Sequence, residues 1–332
     1  MTIWERELKN ILIRCDSSST LGLGHVKRCL LLAKRLKEHD EYLSISFATQ
    51  NLQGNINLEI LTAGFNIYTL KTNDVEELSS LVTVLHLKLL IIDSYDIDAS
   101  FENELKMKNE KLKILSFDDT LQPHHADMVL NHGIHAKKKA YKTLVPNSTQ
   151  LFCGSKYTLL RDEFFEHPTH KKVKNSIAII LGGNDVLNVS SAVADLLLNI
   201  NPSYKITIIT SSVNPHLQKL QSNPKTEVLV DIANIAQILS SKELVICASG
   251  GTLFEVLALK KKFINLQVAA NQQHIVDFLN AKKIFTTISA LELNQTILEE
   301  KLQYVTNNNI YKNVSLDFSK TKLIKKILKA LA

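Results

Sequence analysis

The strongest constraint on the fold of this chain is the regular alternation of short apolar runs with amphipathic stretches. Runs rich in Ile, Leu and Val, such as residues 11–14 and 89–93, are followed by stretches with helical periodicity, such as residues 26–37 and 99–108. Strands that alternate with helices in this way pair in parallel, with the helices covering the sheet. The pattern therefore predicts an α/β fold built on mostly parallel sheets.

The alternation stops once and then restarts, which divides the chain in two. Residues 161–175 are irregular and charged, and an apolar run at residues 177–181 restarts the pattern. In the second half, predicted strands and helices follow one another at residues 192–200, 205–210, 232–239, 244–248, 252–259 and 263–266. A chain of 332 residues is long enough for two cores. We predict two Rossmann-like, doubly wound domains, an N-terminal one at residues 1–160 and a C-terminal one at residues 161–332.

Cysteine use and hydropathy predict the compartment. No window approaches 18 uninterrupted apolar residues, and the opening residues 1–10 carry mixed charge without an apolar core. The cysteines, Cys15, Cys29, Cys153 and Cys247, form no CxxC pair and lie in or beside apolar runs. Buried, reduced thiols are typical of a cytoplasmic protein. We predict a cytoplasmic chain without a membrane span.

The basic balance of the chain does not predict a nucleic-acid partner. The formal net charge is +6 and the pI is near 8.9, but the lysines are spread along the sequence and aromatic residues make up only 6%. Nucleic-acid readers usually concentrate their basic residues in a stripe or combine them with stacking aromatics. A solvated basic surface that attracts a phosphorylated metabolite fits these numbers better.

The loop after the first apolar run carries glycines and a histidine. Residues 14–28 read RCDSSSTLGLGHVKR, which places Asp16, Gly22, Gly24 and His25 between the first predicted strand and helix. Ligands bind at the carboxyl ends of parallel strands, and N–H groups at a helix start favour anions. The positive end of the helix dipole favours a neutral imidazole, which can accept a proton. The alternative is a histidine that only caps the helix.

A second glycine-rich loop follows the predicted strand at residues 244–248. It contains Ser249, Gly250, Gly251 and Thr252 and opens a helix, so its N–H and hydroxyl groups are suited to a diphosphate. Glu255 would repel phosphate but is a good acceptor for paired ribose hydroxyls. The alternative for Glu255 is a carboxylate that only favours the helix N-terminus.

Two further polar loops follow strands of the second domain. Gly183 and Asn184 belong to the sequence GGND after the first of these strands, and Asn271 and Gln272 belong to ANQQH after the strand at residues 263–266. The amide side chains of Asn271 and Gln272 can bind sugar hydroxyl and acetamido groups. Equally, Asn184, Asp185 or Asn271 can cap the helix that follows.

A group of histidines invites a metal interpretation that their spacing does not support. The group consists of His124, His125, His132 and His135. These residues form no HxxxH or HxH pair with a nearby carboxylate. Asp118 and Asp119 precede them at a predicted strand end, where carboxylates bind a sugar or cap a loop. We predict neither a metal nor a cofactor.

Taken together, these motifs resemble the PseG-type UDP-sugar hydrolases of the pseudaminic acid pathway. The resemblance covers residues 11–279, most of the chain. The motifs are RCDSSSTLGLGHVKRCLLLA at residues 14–33, LLIIDSYDI at 89–97, ILSFDDTLQPHHADMVLN at 114–131, YTLLRDEF at 157–164 and SGGTLFEVL at 249–257. The family is similar in fold to the MurG glycosyltransferases, with two Rossmann-like domains facing across a cleft, the GT-B arrangement.

The resemblance implies an activity and a set of site residues. The activity is hydrolysis of UDP-2,4-diacetamido-2,4,6-trideoxy-β-L-altropyranose to the free sugar and UDP. The catalytic histidine of the family corresponds to His25 and its cleft tyrosine to Tyr95. Its UDP contacts correspond to Arg161, Glu255 and Asn271.

In this interpretation His25 deprotonates a water aimed at the anomeric carbon, and UDP leaves from the opposite face with inversion. Two alternatives share the same loops. One is a GT-B glycosyltransferase with a UDP-amino sugar donor, in which His25 activates an acceptor hydroxyl. The other is a non-catalytic protein that binds a nucleotide sugar, which UDP release would distinguish. The sequence predicts neither the oligomeric state nor the domain on which a C-terminal helix near residues 316–331 packs.

Overall fold

A computed structural model describes residues 8–166 and 172–331. Residues 1–7, residue 332 and residues 167–171, which belong to the irregular charged stretch at residues 161–175, lie outside the described chain. The chain divides into two compact units, and the division after Leu159 lies beside the boundary predicted from the sequence. Among the described residues, the first unit comprises residues up to Leu159 together with residues 319–331, and the second lies between Leu160 and Phe318.

The first unit is built on a seven-stranded parallel sheet in the order β3-β2-β1-β4-β5-β6-β7. Its strands are β1 (Lys9–Cys15), β2 (Leu43–Gln50), β3 (Asn66–Leu70), β4 (Leu87–Asp93), β5 (Lys113–Phe117), β6 (Met128–Asn131) and β7 (Gln150–Cys153). Its helices before residue 160 are α1 (Gly24–His39), α2 (Asn57–Thr62), α3 (Val75–Val84) and α4 (Ala99–Lys108). The strand order reverses between β1 and β4, which makes their carboxyl ends the expected ligand site.

Alternating side chains of β1 explain why both faces of this sheet are covered. Ile11 and Ile13 belong to one core cluster, whereas Leu12 belongs to a second cluster on the opposite face. Successive residues of a strand point to opposite faces, so a strand that is apolar throughout needs a helix layer on each side. One layer includes α1, whose Cys29 and Leu32 are fully buried in the first cluster. The unbroken apolar run of β1 therefore accounts for its central position.

The second unit repeats the plan with a six-stranded parallel sheet in the order β10-β9-β8-β11-β12-β13. Its strands are β8 (Ser176–Ile180), β9 (Lys205–Thr210), β10 (Thr226–Val230), β11 (Leu244–Ala248), β12 (Lys262–Gln267) and β13 (Thr287–Ser289). Its helices are α5 (Val189–Ile200), α6 (Leu217–Gln221), α7 (Ile235–Ser241), α8 (Gly251–Ala258), α9 (Gln273–Ala281) and α10 (Gln295–Asn307). The strand order reverses between β8 and β11.

The last helix, α11 (Lys322–Leu331), corrects the predicted extent of the second domain. Its buried face, Leu323, Ile324 and Ile327, belongs to the core of the first unit, where α11 packs against α1. The assignment of residues 319–332 to the second domain is therefore wrong. The apolar face of α11 predicts that the helix is buried, but it does not predict on which sheet.

Across residues 8–166 and 172–331, no helix combines the length and the apolar character that crossing a membrane requires.

Candidate active site

The loop between β1 and α1 presents His25 at the carboxyl end of the first sheet. His25 is the second residue of α1, and 11% of its side chain is exposed. Gly22 has a φ of 82°, a conformation that favours glycine, and its N–H donates to the Ser18 carbonyl at 3.0 Å. The glycine thus gives the loop the turn that brings the chain into α1.

Asp93, the last residue of β4, binds the first turns of α1. Its Oδ1 lies 2.5 Å from both His25 Nδ1 and Arg28 Nη2, and its Oδ2 accepts from Arg28 Nε at 2.6 Å. The thiol of Cys29 donates to the same Oδ2 at 3.4 Å. Because Cys15 is the β1 residue paired with Asp93, the strand register places this carboxylate where β1 ends. Residues from two adjacent strand ends therefore meet at the predicted site.

The charge of Asp93 determines which nitrogen of His25 carries a proton. Burial alone would raise the pKa of Asp93, but Arg28 and His25 outweigh it and hold that pKa well below its usual range. An ionised carboxylate only accepts hydrogen bonds, so His25 donates through Nδ1. In the neutral imidazole, Nε2 is then the nitrogen that can accept a proton.

Tyr95 and Asp119 extend this network from the neighbouring loops. The rings of His25 and Tyr95 meet edge to face, with centroids 4.8 Å apart and an angle of 87°. The Tyr95 hydroxyl donates to Asp119 Oδ2 at 3.1 Å, and Arg28 Nη1 donates to the same oxygen at 2.8 Å. The structure therefore brings together two of the residues that the family resemblance implied, His25 and Tyr95.

The histidines after β5 have separate protein partners. His132 Nε2 lies 3.1 Å from Arg28 Nη1, and burial together with Arg28 lowers the pKa of His132 to about 4. His124 Nδ1 donates to buried Glu102 at 2.8 Å, and this carboxylate outweighs burial and raises the pKa of His124. Among the described residues, no group of three or more His, Cys, Asp and Glu side chains is arranged to hold a metal ion. Independence from metal stays a prediction.

Asp16 and Gly24, predicted to bind substrate, have different surroundings. Asp16 is 6% exposed and its Oδ2 lies 2.6 Å from Arg14 Nη2, while its Oδ1 accepts from the Gln50 N–H at 2.7 Å. These contacts favour a structural role for Asp16. Gly24 is exposed, and an added Cβ would meet no described atom within 4 Å apart from its immediate neighbours. A ligand can therefore approach the backbone at Gly24.

In the second unit, the loop after β11 opens α8 as predicted. Ser249 is fully buried, and its hydroxyl accepts from Asn265 Nδ2 at 2.7 Å. Gly251, the first residue of α8, is exposed, and an added Cβ there would also meet no described atom within 4 Å, close neighbours aside. Thr252 is half-buried, and Gly250 has the Gln272 amide 3.9 Å from the position of an added Cβ. The backbone at Gly251 is thus accessible, whereas Ser249 supports the fold.

Arg161 and Glu255, both predicted to contact UDP, bind each other. Arg161 Nε donates to Glu255 Oε1 at 3.0 Å and Nη2 donates to Oε2 at 3.1 Å, which is a two-pronged ion pair. Arg161 Nη1 lies 3.2 Å from Glu163 Oε1. Burial raises the pKa of Glu255 despite the opposing effect of Arg161. The Glu255 carboxylate still has lone pairs for ribose hydroxyls, because each oxygen accepts more than one hydrogen bond.

The remaining predicted residues lie in loops at the carboxyl ends of β8 and β12. The Gly183 carbonyl accepts from Ser211 Oγ at 2.9 Å, and Asp185 beside Asn184 accepts from the N–H groups of Val189 and Ser190, both at 2.9 Å. Gln272 Oε1 accepts from the Val268 N–H at 2.9 Å. Asn271 lies in the single 3₁₀ turn before α9 and is exposed. Substrate contacts of Gly183, Asn184, Asn271 and Gln272 stay predictions.

Three members of the first-unit site were not predicted as site residues: Asp93, Arg28 and Asp119. The sequence contains a signal for two of them. Asp93 is a carboxylate that ends an apolar run, and Arg28 follows His25 by three residues, which places both on one face of α1. For Asp119 the sequence indicates only a sugar ligand or a cap. Which of these carboxylates lies beside His25 depends on the order of the strands in the sheet, which the sequence does not specify.

The chain is similar to known proteins in sequence and in fold. No protein-family model matches the chain. The chain is 37% identical over 279 residues to the UDP-2,4-diacetamido-2,4,6-trideoxy-beta-L-altropyranose hydrolase of Campylobacter jejuni, which covers 82% of this chain and 96% of that protein.

Two solved structures show what the fold resembles. MurG of Acinetobacter baumannii has a TM-score of 0.64 at 13% identity and covers 97% of this chain and 99% of its own. The UDP-GlcNAc 2-epimerase of Methanocaldococcus jannaschii, in complex with UDP-GlcNAc and UDP, has a TM-score of 0.59 at 11% identity and covers 97% and 99%. At these identities the likeness concerns the fold alone. It confirms the predicted α/β fold class of MurG-like, GT-B proteins.

Proposed function

The chain belongs to the family of the UDP-2,4-diacetamido-2,4,6-trideoxy-β-L-altropyranose hydrolases, and we propose that it catalyses this hydrolysis with His25 as the general base. The observation that carries the proposal is the hydrogen bond between His25 Nδ1 and Asp93 Oδ1, 2.5 Å long, at the point where the strand order reverses. A base whose far nitrogen is held by a buried carboxylate is the arrangement used in many hydrolases.

The reaction follows from this arrangement in one displacement. A water donates its proton to His25 Nε2 while its oxygen attacks the anomeric carbon of the sugar. The bond from that carbon to the β-phosphate oxygen breaks, and UDP leaves with the bonding electrons. Asp93 stabilises the imidazolium that forms and holds the ring in place. One attack without a covalent intermediate inverts the anomeric centre.

The second unit supplies the nucleotide site in this proposal. The start of α8 has open space at Gly251, and N–H groups at a helix start favour the growing negative charge of the leaving diphosphate. Glu255, held by Arg161, is suited to accept from the ribose hydroxyls. Arg161 already faces two carboxylates, so we assign most of the phosphate binding to the helix start rather than to this guanidinium.

We further propose that the protein acts in the cytoplasm, in pseudaminic acid biosynthesis, where it releases the free sugar from UDP without a metal ion and without a nucleic-acid partner. The four cysteines are free and buried, which suits a reducing compartment. The fold class of MurG supports one alternative, a transferase in which the same His25 activates an acceptor hydroxyl instead of water.

UDP release from the diacetamido sugar nucleotide tests the proposal. We expect wild-type protein to release UDP in buffer alone, and His25→Asn to lower turnover by at least about a hundredfold while UDP affinity and unfolding temperature stay close to wild type. Release that requires an added acceptor would favour the transferase. Full activity of a folded His25→Asn variant would show that another group is the base.

A further inference from the structure

Tyr95 is held at the site by contacts at both ends of its side chain. It lies two residues beyond β4 and is 50% exposed. Its ring meets the His25 imidazole edge to face at 4.8 Å, and its hydroxyl donates to Asp119 Oδ2 at 3.1 Å. A half-exposed tyrosine has freedom to rotate unless polar contacts restrict it. The hydrogen bond to Asp119 therefore helps to fix the Tyr95 ring against His25.

The chain around Asp119 is built to hold this carboxylate in place. Asp119 follows β5, the strand next to β4 in the sheet. The preceding residue, Asp118, is 4% exposed and accepts from the Thr120 N–H at 2.8 Å and from the Tyr141 hydroxyl at 2.5 Å. These bonds fix the backbone on both sides of Asp119. The Asp119 side chain is therefore aimed by a rigid turn.

Arg28 connects Asp119 to the His25–Asp93 pair. Arg28 Nη1 donates to both oxygens of Asp119, at 2.8 and 3.1 Å, while Nε and Nη2 of the same guanidinium donate to Asp93. The guanidinium is planar, so these two carboxylates are held in a fixed relative orientation. A single acceptor, Asp119 Oδ2, thus receives hydrogen bonds from both Arg28 and Tyr95.

We propose that Asp119 is a positioning residue, which fixes the Tyr95 ring against the catalytic imidazole and completes the anchoring of Arg28. Its part in the reaction rests on the proposed function, but its part in placing Tyr95 does not. The sequence offered a different role for Asp119, direct binding of the sugar. A sugar ligand lowers affinity when it is removed, whereas a positioning residue lowers kcat with little change of KM.

A double-mutant cycle between Asp119→Ala and Tyr95→Phe tests the coupling. We expect each variant to lower kcat about tenfold, because each removes a hydrogen bond that orders the site. Since both substitutions remove the same hydrogen bond, the loss of kcat in the double variant should be much smaller than the product of the two single losses. Asp119→Asn keeps an acceptor for the tyrosine and should recover part of the activity. Multiplicative losses, or a rise of KM with kcat unchanged, would overturn the proposal.

A substrate-free measurement separates this proposal from the proposed function. The ¹³C-labelled Cε1–H signal of His25, identified by its loss in His25→Asn, reports the position of the Tyr95 ring. We expect Asp119→Ala and Tyr95→Leu each to move this signal, and the combination to move it no further than Tyr95→Leu alone.

The matched control is Glu59→Gln, which removes another carboxylate partner of α1, since Glu59 binds Lys27 at 2.6 Å on the surface. This variant should leave the His25 signal and the activity unchanged. An unmoved His25 signal in folded Asp119→Ala would overturn the proposal even if the enzyme proves to have a different substrate.

Discussion

His25 Nδ1 and Asp93 Oδ1 lie 2.5 Å apart although the two residues are 68 positions apart in the chain. The pairing of β1 with β4 creates this proximity, because Cys15 and Asp93 are register partners at the strand ends. The carboxylate also binds Arg28 and Cys29, so it ties the first two turns of α1 to the sheet. The catalytic proposal and the anchoring of α1 therefore depend on the same carboxylate.

Asp93→Asn tests the catalytic half of this relationship. The amide keeps the shape of the side chain but no longer stabilises a protonated imidazole, and it allows the wrong ring nitrogen of His25 to carry the proton. We expect kcat to fall by at least about a hundredfold with a smaller effect on KM. Initial rates of UDP release measure both constants. Near-normal kcat in the folded variant would mean that Asp93 serves the fold alone.

The pH dependence of stability tests whether Asp93 is charged in the folded protein. Arg28 and His25 overcome burial and lower the pKa of Asp93, so its ionisation stabilises the folded state above the ordinary aspartate pKa of about 4. Wild type should therefore be more stable than Asp93→Asn near neutral pH, and the difference should shrink as the pH falls below about 4. Urea unfolding at several pH values measures it. A difference that does not change with pH would show that Asp93 is not ionised through these partners.

The sequence predicted the second-unit loops and His25, but not the polar network around His25. Asp93 lies in the same IIDSY motif as Tyr95, which the family resemblance implied, but the sequence does not specify which strand lies beside β1 and therefore does not identify Asp93 as a site residue. Conversely, Asp16 and Ser249 had suitable residue types and positions, but they turn inward to Arg14 and Asn265. Short polar side chains at strand ends serve the ligand or the backbone equally well, and only three-dimensional neighbours distinguish the two.

Glu255→Ala should weaken UDP binding by roughly tenfold to a hundredfold, which corresponds to about one to three kcal/mol for hydrogen bonds to a buried acceptor. Isothermal titration with UDP measures the change. Because Glu255 binds Arg161, the loss could come from the released guanidinium, and Arg161→Gln is the matched variant. If Arg161→Gln lowers the UDP affinity less than Glu255→Ala does, the ribose contact belongs to Glu255. Unchanged UDP affinity in Glu255→Ala would place the ribose contact elsewhere.

Gly251→Ala tests whether glycine at this position is required for UDP binding or for the stability of the fold. An added methyl group at Gly251 meets open space, and the backbone there does not have a positive φ. The substitution should leave stability unchanged or raise it by up to about 1 kcal/mol. It should nevertheless weaken UDP binding at least about tenfold, since the methyl group occupies the approach to the helix start.

The control for this variant is Gly24→Ala, where an added Cβ also meets open space but in the first unit. We expect it to leave the affinity for UDP unchanged. Equal UDP affinity of wild type and Gly251→Ala would argue against a diphosphate at the start of α8.

A chelator tests independence from metal ions. We expect EDTA to leave the rate of UDP release unchanged, because N–H groups at a helix start provide the positive potential that the leaving diphosphate needs. Residual metal in the protein, measured by mass spectrometry, is the control. Activity that is lost with EDTA and restored by Mg²⁺ or Mn²⁺ would overturn this expectation and add a Lewis acid to the mechanism.

The C-terminal helix shows a second limit of sequence interpretation. An apolar helix face such as that of α11 is typical of burial, and the predicted boundary placed this helix within residues 161–332, although the sequence did not predict on which domain it packs. Instead, Leu323, Ile324 and Ile327 complete the core around α1. Which exposed apolar surface such a helix covers depends on the packing of elements that lie far away in the sequence. By contrast, the parallel sheets followed directly from unbroken apolar runs such as β1 and β4.

The bond that breaks is the most direct test of the account, because attack at carbon requires a base beside the sugar and attack at phosphorus does not. Hydrolysis of UDP-2,4-diacetamido-2,4,6-trideoxy-β-L-altropyranose in ¹⁸O-labelled water, followed by mass spectrometry of both products, locates the attacking oxygen. We predict that the label enters the sugar, and that early NMR spectra show the inverted anomer before mutarotation. Label in the β-phosphate of UDP would contradict both the electrophile and the role assigned to His25.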